Sequence, residues 1–207
     1  MLRPYVGDRV LEIGAGIGNL TNQFIPRDLY VVSDINPHYL HYLSSYAHGK
    51  PYLQVLHVDA NNPADFAGLQ EHFDTALMIN VLEHVADEQA ALHNLWSALA
   101  PGGRAIVLVP CRPGLYGSLD RVLGHRERYT AASLEAAIRK SGFRLEKLFD
   151  FNRCSVPGWW LNGKVLRKKT FSRVQLKVLN TAMPVLKRID RTWPWQGLSL
   201  IAVAVKE

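Results

Sequence analysis

Hydrophobic positions along the chain come in short, nearly continuous runs separated by longer stretches of mixed polarity. Seven runs stand out: Arg9–Ile13, Leu29–Ser33, Leu53–Val58, Thr75–Ile79, Arg104–Val109, Arg144–Phe151 and Leu198–Val205. Most are rich in Val, Ile and Leu with little polar alternation, the pattern of strands buried on both faces. Up to about residue 152, helix-length stretches separate the runs, which predicts a parallel α/β sheet with crossover helices. Pro101-Gly102-Gly103 reads as a turn leading into the fifth run. Thr130 reads as the cap of a helix ending near Gly142. Between the sixth and seventh runs the pattern changes. There Val174, Val178, Leu179, Ala182, Met183, Leu186 and Ile189 recur at helical spacing, and Pro184 is expected to break or restart that helix.

A length of 207 residues suits one domain with a full core, so residues 1–207 are read as a single domain carrying a helical insert at 155–196. With 48% hydrophobic and 20% charged residues, the chain as a whole is neither disordered, collagen-like nor coiled coil. Its apolar runs are too short to cross a bilayer. Residues 1–20 include Asp8 and Glu12 and no apolar leader core, so a cytoplasmic location is expected. Cys111 and Cys154 are expected as reduced thiols, and neither has metal-ligand spacing.

The net charge of +6 changes the picture once it is located. Residues 155–193 hold nine basic residues (Lys164, Arg167, Lys168, Lys169, Arg173, Lys177, Lys187, Arg188 and Arg191) against the single acid Asp190. The segment is therefore +8 and the rest −2. The stretch between the sixth and seventh runs also contains Trp159, Trp160, Trp193 and Trp195. Four readings stay open for it. They are a solvated basic helix docked by its apolar stripe, a peripheral membrane contact through 155–193, an RNA face, and a protein-partner face. Nucleic acid is not favoured, because no named RNA-binding motif is present.

Val10-Leu11-Glu12-Ile13-Gly14-Ala15-Gly16-Ile17-Gly18 is a strand running into a glycine turn. The third glycine comes one residue early for a dinucleotide fingerprint, and the Gly-Lys-Ser/Thr of a P-loop is absent. The form E-x-G-x-G-x-G resembles motif I of class I S-adenosylmethionine (SAM)-dependent methyltransferases. Asp34 after the second run, Asp59-Ala60 after the third, Asn80-Val81-Leu82-Glu83-His84 after the fourth and Pro101-Gly102-Gly103 before the fifth match further motifs of that family, in order. The resemblance implies a doubly wound, Rossmann-like α/β fold. Its seven-stranded sheet would have order 3-2-1-4-5-7-6 with strand 7 antiparallel, and SAM would be the cofactor with S-adenosylhomocysteine as product. It implies that Gly14, Ala15, Gly16 and Gly18 lie beside the methionine part of SAM. Glu12 would lie under the loop, near the cofactor's ammonium or the loop's N–H groups. Asp34 would take the ribose with Ile35 and Asn36 alongside; Asp59 and Ala60 would flank the adenine; Asn80 and Val81 would pass near the sulfonium. The run after Asn80 does not resemble the Pro-Pro-Tyr-like segment of amino-methyltransferases acting on bases or amides.

Methyl transfer to oxygen or to an activated carbon needs a base near neutrality, which points to histidine. His84 lies in the fourth-strand motif. His125, Arg128 and Tyr129 resemble the family's acceptor-side segment, with His125 a candidate base and Arg128 and Tyr129 fixing a polar acceptor. Arg112 and Arg153, at the ends of the fifth and sixth runs, are candidates for an acidic acceptor. Some quinone-pathway O-methyltransferases carry Glu-x-x-Glu-His here and bind a divalent metal. This chain has Asn80 in place of the first Glu, so no metal is expected. The expected function is methyl transfer to O or C of a small-molecule or lipid-linked acceptor. The alternatives are an RNA methyltransferase using the basic insert and a non-catalytic SAM-binding module. Eight residues precede the first run, where relatives have N-terminal helices. An earlier start, an open pocket, or a covering partner subunit in an oligomer are all consistent with that.

Overall fold

The computed structural model describes residues 2–170 and 172–207. The side chains of Arg173, Val174, Leu176, Leu179, Asn180, Met183, Lys187 and Arg191 lie outside the described residues. Part of the expected apolar stripe and basic face therefore falls there. The strands are β1 Arg9–Ile13, β2 Leu29–Asp34, β3 Leu53–His57, β4 Phe73–Ile79, β5 Leu99–Pro110, β6 Phe143–Phe151 and β7 Ser199–Lys206. The helices are α1 Thr21–Phe24, α2 Pro37–Ala47, α3 Glu88–Ala98, α4 Ser118–Leu123, α5 Ala131–Lys140, α6 Val156–Trp160 and α7 Arg173–Ile189.

The strands form one sheet of order β3-β2-β1-β4-β5-β7-β6. The first five pair in parallel, and β7 runs antiparallel to both β5 and β6. This is the doubly wound order expected from the motifs. Alternation along the central strands sends side chains to two cores. Leu11, Ile13, Met78 and Val107 pack with Leu92 and Leu95 of α3 and Leu134 and Ile138 of α5. Val10, Val32, Leu77, Ile106 and Val203 pack with Phe24 of α1 and Leu43 of α2. With both faces covered, the central strands must be apolar throughout, and that is why they read as continuous runs.

Short polar side chains start the crossover helices. Asn36 accepts from the N–H of His38 at the start of α2. Asp87 accepts from Gln89 and Ala90 at the start of α3. Thr130 and Ser133 exchange reciprocal bonds at the start of α5, as the sequence predicts. Because each helix begins just beyond a strand's carboxyl end, these caps also fix the loops there.

Two local expectations are corrected. Pro101-Gly102-Gly103 lies inside β5 rather than before it. Phe73 pairs Leu99 and Thr75 pairs Arg104, so residues 100–103 loop out within one continuous strand. Gly102 takes φ +77°, and a Cβ on Gly103 would come 2.8 Å from the Ala100 carbonyl oxygen, so glycines make that excursion feasible. Pro184 does not end α7, which continues through it to Ile189. A proline removes one intrahelical hydrogen bond, and Ser172 caps this helix through a reciprocal pair with Gln175. Between β6 and β7 the chain also forms α6 and a π-helical turn at Leu161–Val165. No helix among the described residues is long and apolar enough to cross a membrane.

Candidate active site

The loops after β1, β2, β3 and β4 meet at one end of the sheet around a cavity of ≈270 Å³. Ile13, Gly14, Asp34, Ile35, Val58, Asp59, Ala60, Asn61, Val81, His84, Val85, Ala86 and Arg126 line it. Ligands of open α/β sheets bind at this end, where the strand order reverses. Here that is the boundary between β1 and β4.

The glycine loop owes its shape to its backbone. Gly14, Gly16 and Gly18 have φ of +69°, +58° and +76°. A Cβ on Gly14 would lie 2.4 Å from a methyl of Val81, whereas a Cβ on Gly16 would meet nothing within 4 Å. Gly14 is therefore needed for close packing, and Gly16 leaves open space beside the backbone. Asp34 holds the loop in place. One of its carboxylate oxygens accepts from the N–H of Gly16 at 2.9 Å and the other from the N–H of Asn36 at 2.9 Å. Each oxygen has a second acceptor site, and the side chain borders the cavity.

Glu12 lies beneath the glycine loop, but its bonds do not go to that loop. Its buried carboxylate accepts from the hydroxyls of Thr21 at 2.7 Å and Tyr30 at 2.8 Å, not from the loop's N–H groups. Burial pushes its pKa up. It braces the loop by tying β1 to β2 and α1. Asp59 accepts from the N–H of Asn61. Asn61, which the sequence reading passed over, donates to the Asp87 carbonyl and accepts from the N–H of Ala86. It clamps the β3 loop against the β4 loop. Asn80 takes φ +53° and its N–H donates to the Leu108 carbonyl, but it does not line the cavity.

Of the histidines proposed as bases, His84 borders the cavity and His125 stands behind it, their rings edge to face at 5.0 Å. His84 Nδ1 lies 3.2 Å from the Gly124 carbonyl oxygen, which must accept, so Nε2 is the nitrogen left with a lone pair. Burial lowers its pKa and so favours the neutral imidazole. His125 has Nδ1 2.9 Å from Asp120 and Nε2 3.9 Å from Glu83. Asp120 is a hub. It also accepts from Arg128 at 2.7 Å, from the N–H of Gly117 at 2.9 Å, and from Trp159 at 3.4 Å. Burial alone would raise its pKa, but the bonds from His125, Gly117 and Arg128, with the Arg128 charge, hold its carboxyl below the usual range. Glu83 is the opposite case. Both its oxygens are buried without a hydrogen-bond partner among the described residues, and burial pushes its pKa up to about 7.

The acceptor residues named from sequence are largely committed elsewhere. Arg128 borders a second cavity of ≈460 Å³, but its guanidinium is buried between Asp120, the Cys111 carbonyl and the Trp159 ring. The Tyr129 hydroxyl donates to Glu88 at 3.1 Å. Arg153 pairs with Asp150, and Arg112 donates to the Gln196 carbonyl. Neither Arg112 nor Arg153 lines these two cavities. Arg126 lines both, its Nε donating to the His84 carbonyl at 3.2 Å, so the two cavities adjoin across it. Its place one residue after His125 was the only hint in the sequence.

Residues 11–105 match the family model of a methyltransferase domain. An S-adenosylmethionine-dependent methyltransferase from Mesorhizobium loti superposes with a TM-score of 0.65 at 15% identity, covering 98% of this chain and 92% of that one. By fold the chain is similar to class I methyltransferases, and just under half of its length carries the match to a methyltransferase domain. Among curated proteins, a highly reducing polyketide synthase of Strobilurus tenacellus is 30% identical over 152 residues, 61% of this chain and 5% of the relative. A ubiquinone/menaquinone biosynthesis C-methyltransferase of Vibrio parahaemolyticus is 28% identical over 113 residues, 53% of this chain and 44% of the relative. The chain thus spans less than half the length of either. The residues at the cavity fit SAM, the cofactor of the similar methyltransferases. They offer a carboxylate with spare acceptor sites, an open glycine backbone and a half-buried apolar slot.

Two predictions concern this architecture. Gly16→Ala should cost about 1–2 kcal/mol of stability, the left-handed penalty alone. Gly14→Ala should cost ~1–3 kcal/mol more, because its Cβ also meets Val81. Urea unfolding of both variants checks the order, and equal losses would contradict it. For Glu83, the folded-state pKa of about 7 lies above the ordinary 4.5, so the folded protein holds this proton more tightly. Its contribution to stability is full below about pH 4.5 and is lost as pH rises to about 7. Subtracting the stability–pH curve of Glu83→Gln from that of the wild type should leave a decline confined to that window. A flat difference would contradict a raised Glu83.

Proposed function

We propose that this protein transfers a methyl group from SAM to an oxygen or activated carbon of a small or lipid-linked acceptor. The observation that carries this reading is the pair of cavities meeting at Arg126, one bordered by Asp34 and the glycine loop, the other by the acceptor-side segment 126–133. When bound, SAM supplies an electrophilic methyl on its sulfonium. The rest falls to the chain. Asp34 accepts from the ribose hydroxyls with the sites that Gly16 and Asn36 leave free. Ile35, Asp59, Ala60 and Asn61 form the slot for the adenine, and Gly14 and Val81 lie along the methionine chain.

His84 is the base in this reading. Burial favours its neutral form, it borders the cavity, and with Nδ1 donating to the Gly124 carbonyl its Nε2 has the free lone pair. It takes the acceptor's proton as the methyl bond forms, while Arg126 orients a polar or anionic group of the acceptor. His125 positions His84 by packing edge to face and is itself held by Asp120. The remaining requirement is alignment and removal of water, since the donor is already activated. The C-methyltransferase relatives support carbon as one acceptor class.

The proposal makes a graded prediction. Asp34→Ala should weaken S-adenosylhomocysteine binding by ~1–3 kcal/mol in isothermal titration. His84→Ala should leave that affinity near wild type and lower kcat by roughly 10²–10⁴-fold, the usual reach of general base catalysis. For the acceptor, cell extract incubated with protein and tritiated methyl-SAM should carry label in the small-molecule or organic-soluble fraction. Label confined to RNA would overturn the acceptor class. No transfer to any fraction, with binding intact, would favour a non-catalytic SAM-binding module.

A further inference from the structure

The basic excess of the chain has a definite place on the fold. The π-helical turn Leu161–Val165 packs against α4: the Ser118 hydroxyl donates its one proton to the Lys168 carbonyl at 2.6 Å and lies 3.1 Å from the Gly163 carbonyl oxygen. A Cβ on Gly163 would touch Leu119. Val122 and Leu123 lie four residues beyond Ser118 and Leu119, so they extend the same face of α4 outward from the turn. Both are exposed. On the other side of the junction Trp160, Leu161, Val165 and Leu166 are exposed as well. These six side chains are between 43% and 55% exposed, although each is large and apolar. Single exposed hydrophobics are ordinary, but six on two packed elements form a patch that asks for a partner.

The surroundings of the patch say which partner. Lys164, Arg167, Lys168 and Lys169 are all exposed and interleave with the apolar residues. No Asp or Glu occurs from residue 151 to residue 189. The next element, α7, adds exposed Val178, Val185 and Ile189 at intervals of seven and four, with Lys177 and Arg188 exposed beside them. A protein interface of ordinary kind is depleted of lysine at its core. A site for single-stranded RNA uses aromatic platforms, and here the exposed apolar residues are mostly aliphatic. Aliphatic side chains ringed by lysine and arginine with no acid among them suit the boundary between lipid headgroups and acyl chains.

We propose that this corner, formed by the end of α4, the turn at Leu161–Val165 and residues 166–169, docks peripherally on an anionic lipid bilayer. The apolar side chains enter the headgroup boundary and the four cations meet anionic headgroups. The corner is joined to the acceptor side through Trp159, whose indole N–H donates to Asp120 and whose ring stacks under Arg128. Docking therefore brings the acceptor side of the fold to the lipid surface. The proposal stands on exposure and charge and does not depend on the methyl-transfer reading.

The test is flotation of the purified chain with vesicles of phosphatidylcholine alone and of phosphatidylcholine with phosphatidylglycerol. The wild type should float with the mixed vesicles, far less with neutral ones, and lose binding as salt rises. The triple variant Lys164→Glu/Lys168→Glu/Lys169→Glu should bind mixed vesicles at least tenfold more weakly. Val165→Ser/Leu166→Ser should also weaken binding, with its salt dependence retained. Unchanged S-adenosylhomocysteine affinity and circular dichroism show that each variant is folded. Equal binding to both vesicle types, binding to neither, or full binding by the charge-reversed variant would overturn the proposal. So would tighter binding to a single-stranded RNA oligonucleotide than to mixed vesicles, which would return the corner to the nucleic-acid reading.

Discussion

One carboxylate sets the geometry of the cofactor cleft. Asp34 sits at the end of β2 and accepts from the N–H of Gly16 and the N–H of Asn36. The first bond pulls the β1 loop across to the neighbouring strand, and the second starts the turn into α2. Without an acceptor there, Gly16 would have an unpaired donor and the loop no fixed path. Beneath it, the buried Glu12 carboxylate ties Thr21 and Tyr30 together, so the loop rests on a braced floor. The two acids divide the work: Glu12 is spent on structure, whereas Asp34 keeps acceptor sites facing the cavity.

On the far side of the cavity a second carboxylate organises the acceptor half. Asp120 gathers His125, Arg128, Trp159 and the N–H of Gly117. These partners come from the loop before α5, from α6 and from the start of α4, so Asp120 links three separate pieces of chain. Glu83 lies close by, and among the described residues neither of its oxygens has a hydrogen-bond partner. Removing a carboxylate from water without partners favours its protonated form, and so two acids at 2.9 and 3.9 Å from the His125 imidazole differ in charge preference. His84, backed by this cluster, is left with its basic nitrogen uncommitted.

The fold was legible because the central strands are covered on both faces and must be apolar. The runs at Arg9–Ile13 and Leu29–Ser33 read as buried strands for that reason, and the family resemblance then implied the order of the sheet. Local sequence was less informative where tertiary pairing overrode it. Pro101-Gly102-Gly103 has the composition of a turn, yet Phe73 and Thr75 pair on either side of it and keep one strand. Pro184 carries a helix-breaking signal, yet α7 runs through it. In the site, glycines and Asp34 announce themselves by spacing, but arginines do not. Arg128 looked like an acceptor ligand and is a buried brace, while Arg126, two residues earlier, borders both cavities. Nothing in the chain order separates a guanidinium that meets Asp120 from one that faces solvent.

The central claim is that the cofactor lies along the carboxyl ends of β1 to β4, against the glycine loop and Asp34. The most direct measurement is titration of S-adenosylhomocysteine into ¹⁵N-labelled protein, followed by the shifts of assigned backbone amides. Gly14, Gly16, Ile35, Asn61 and Val81 should move most, with Gly16 and Ile35 among the largest, while amides of α7 stay in place. Saturable binding that leaves those loop amides unmoved would contradict the account.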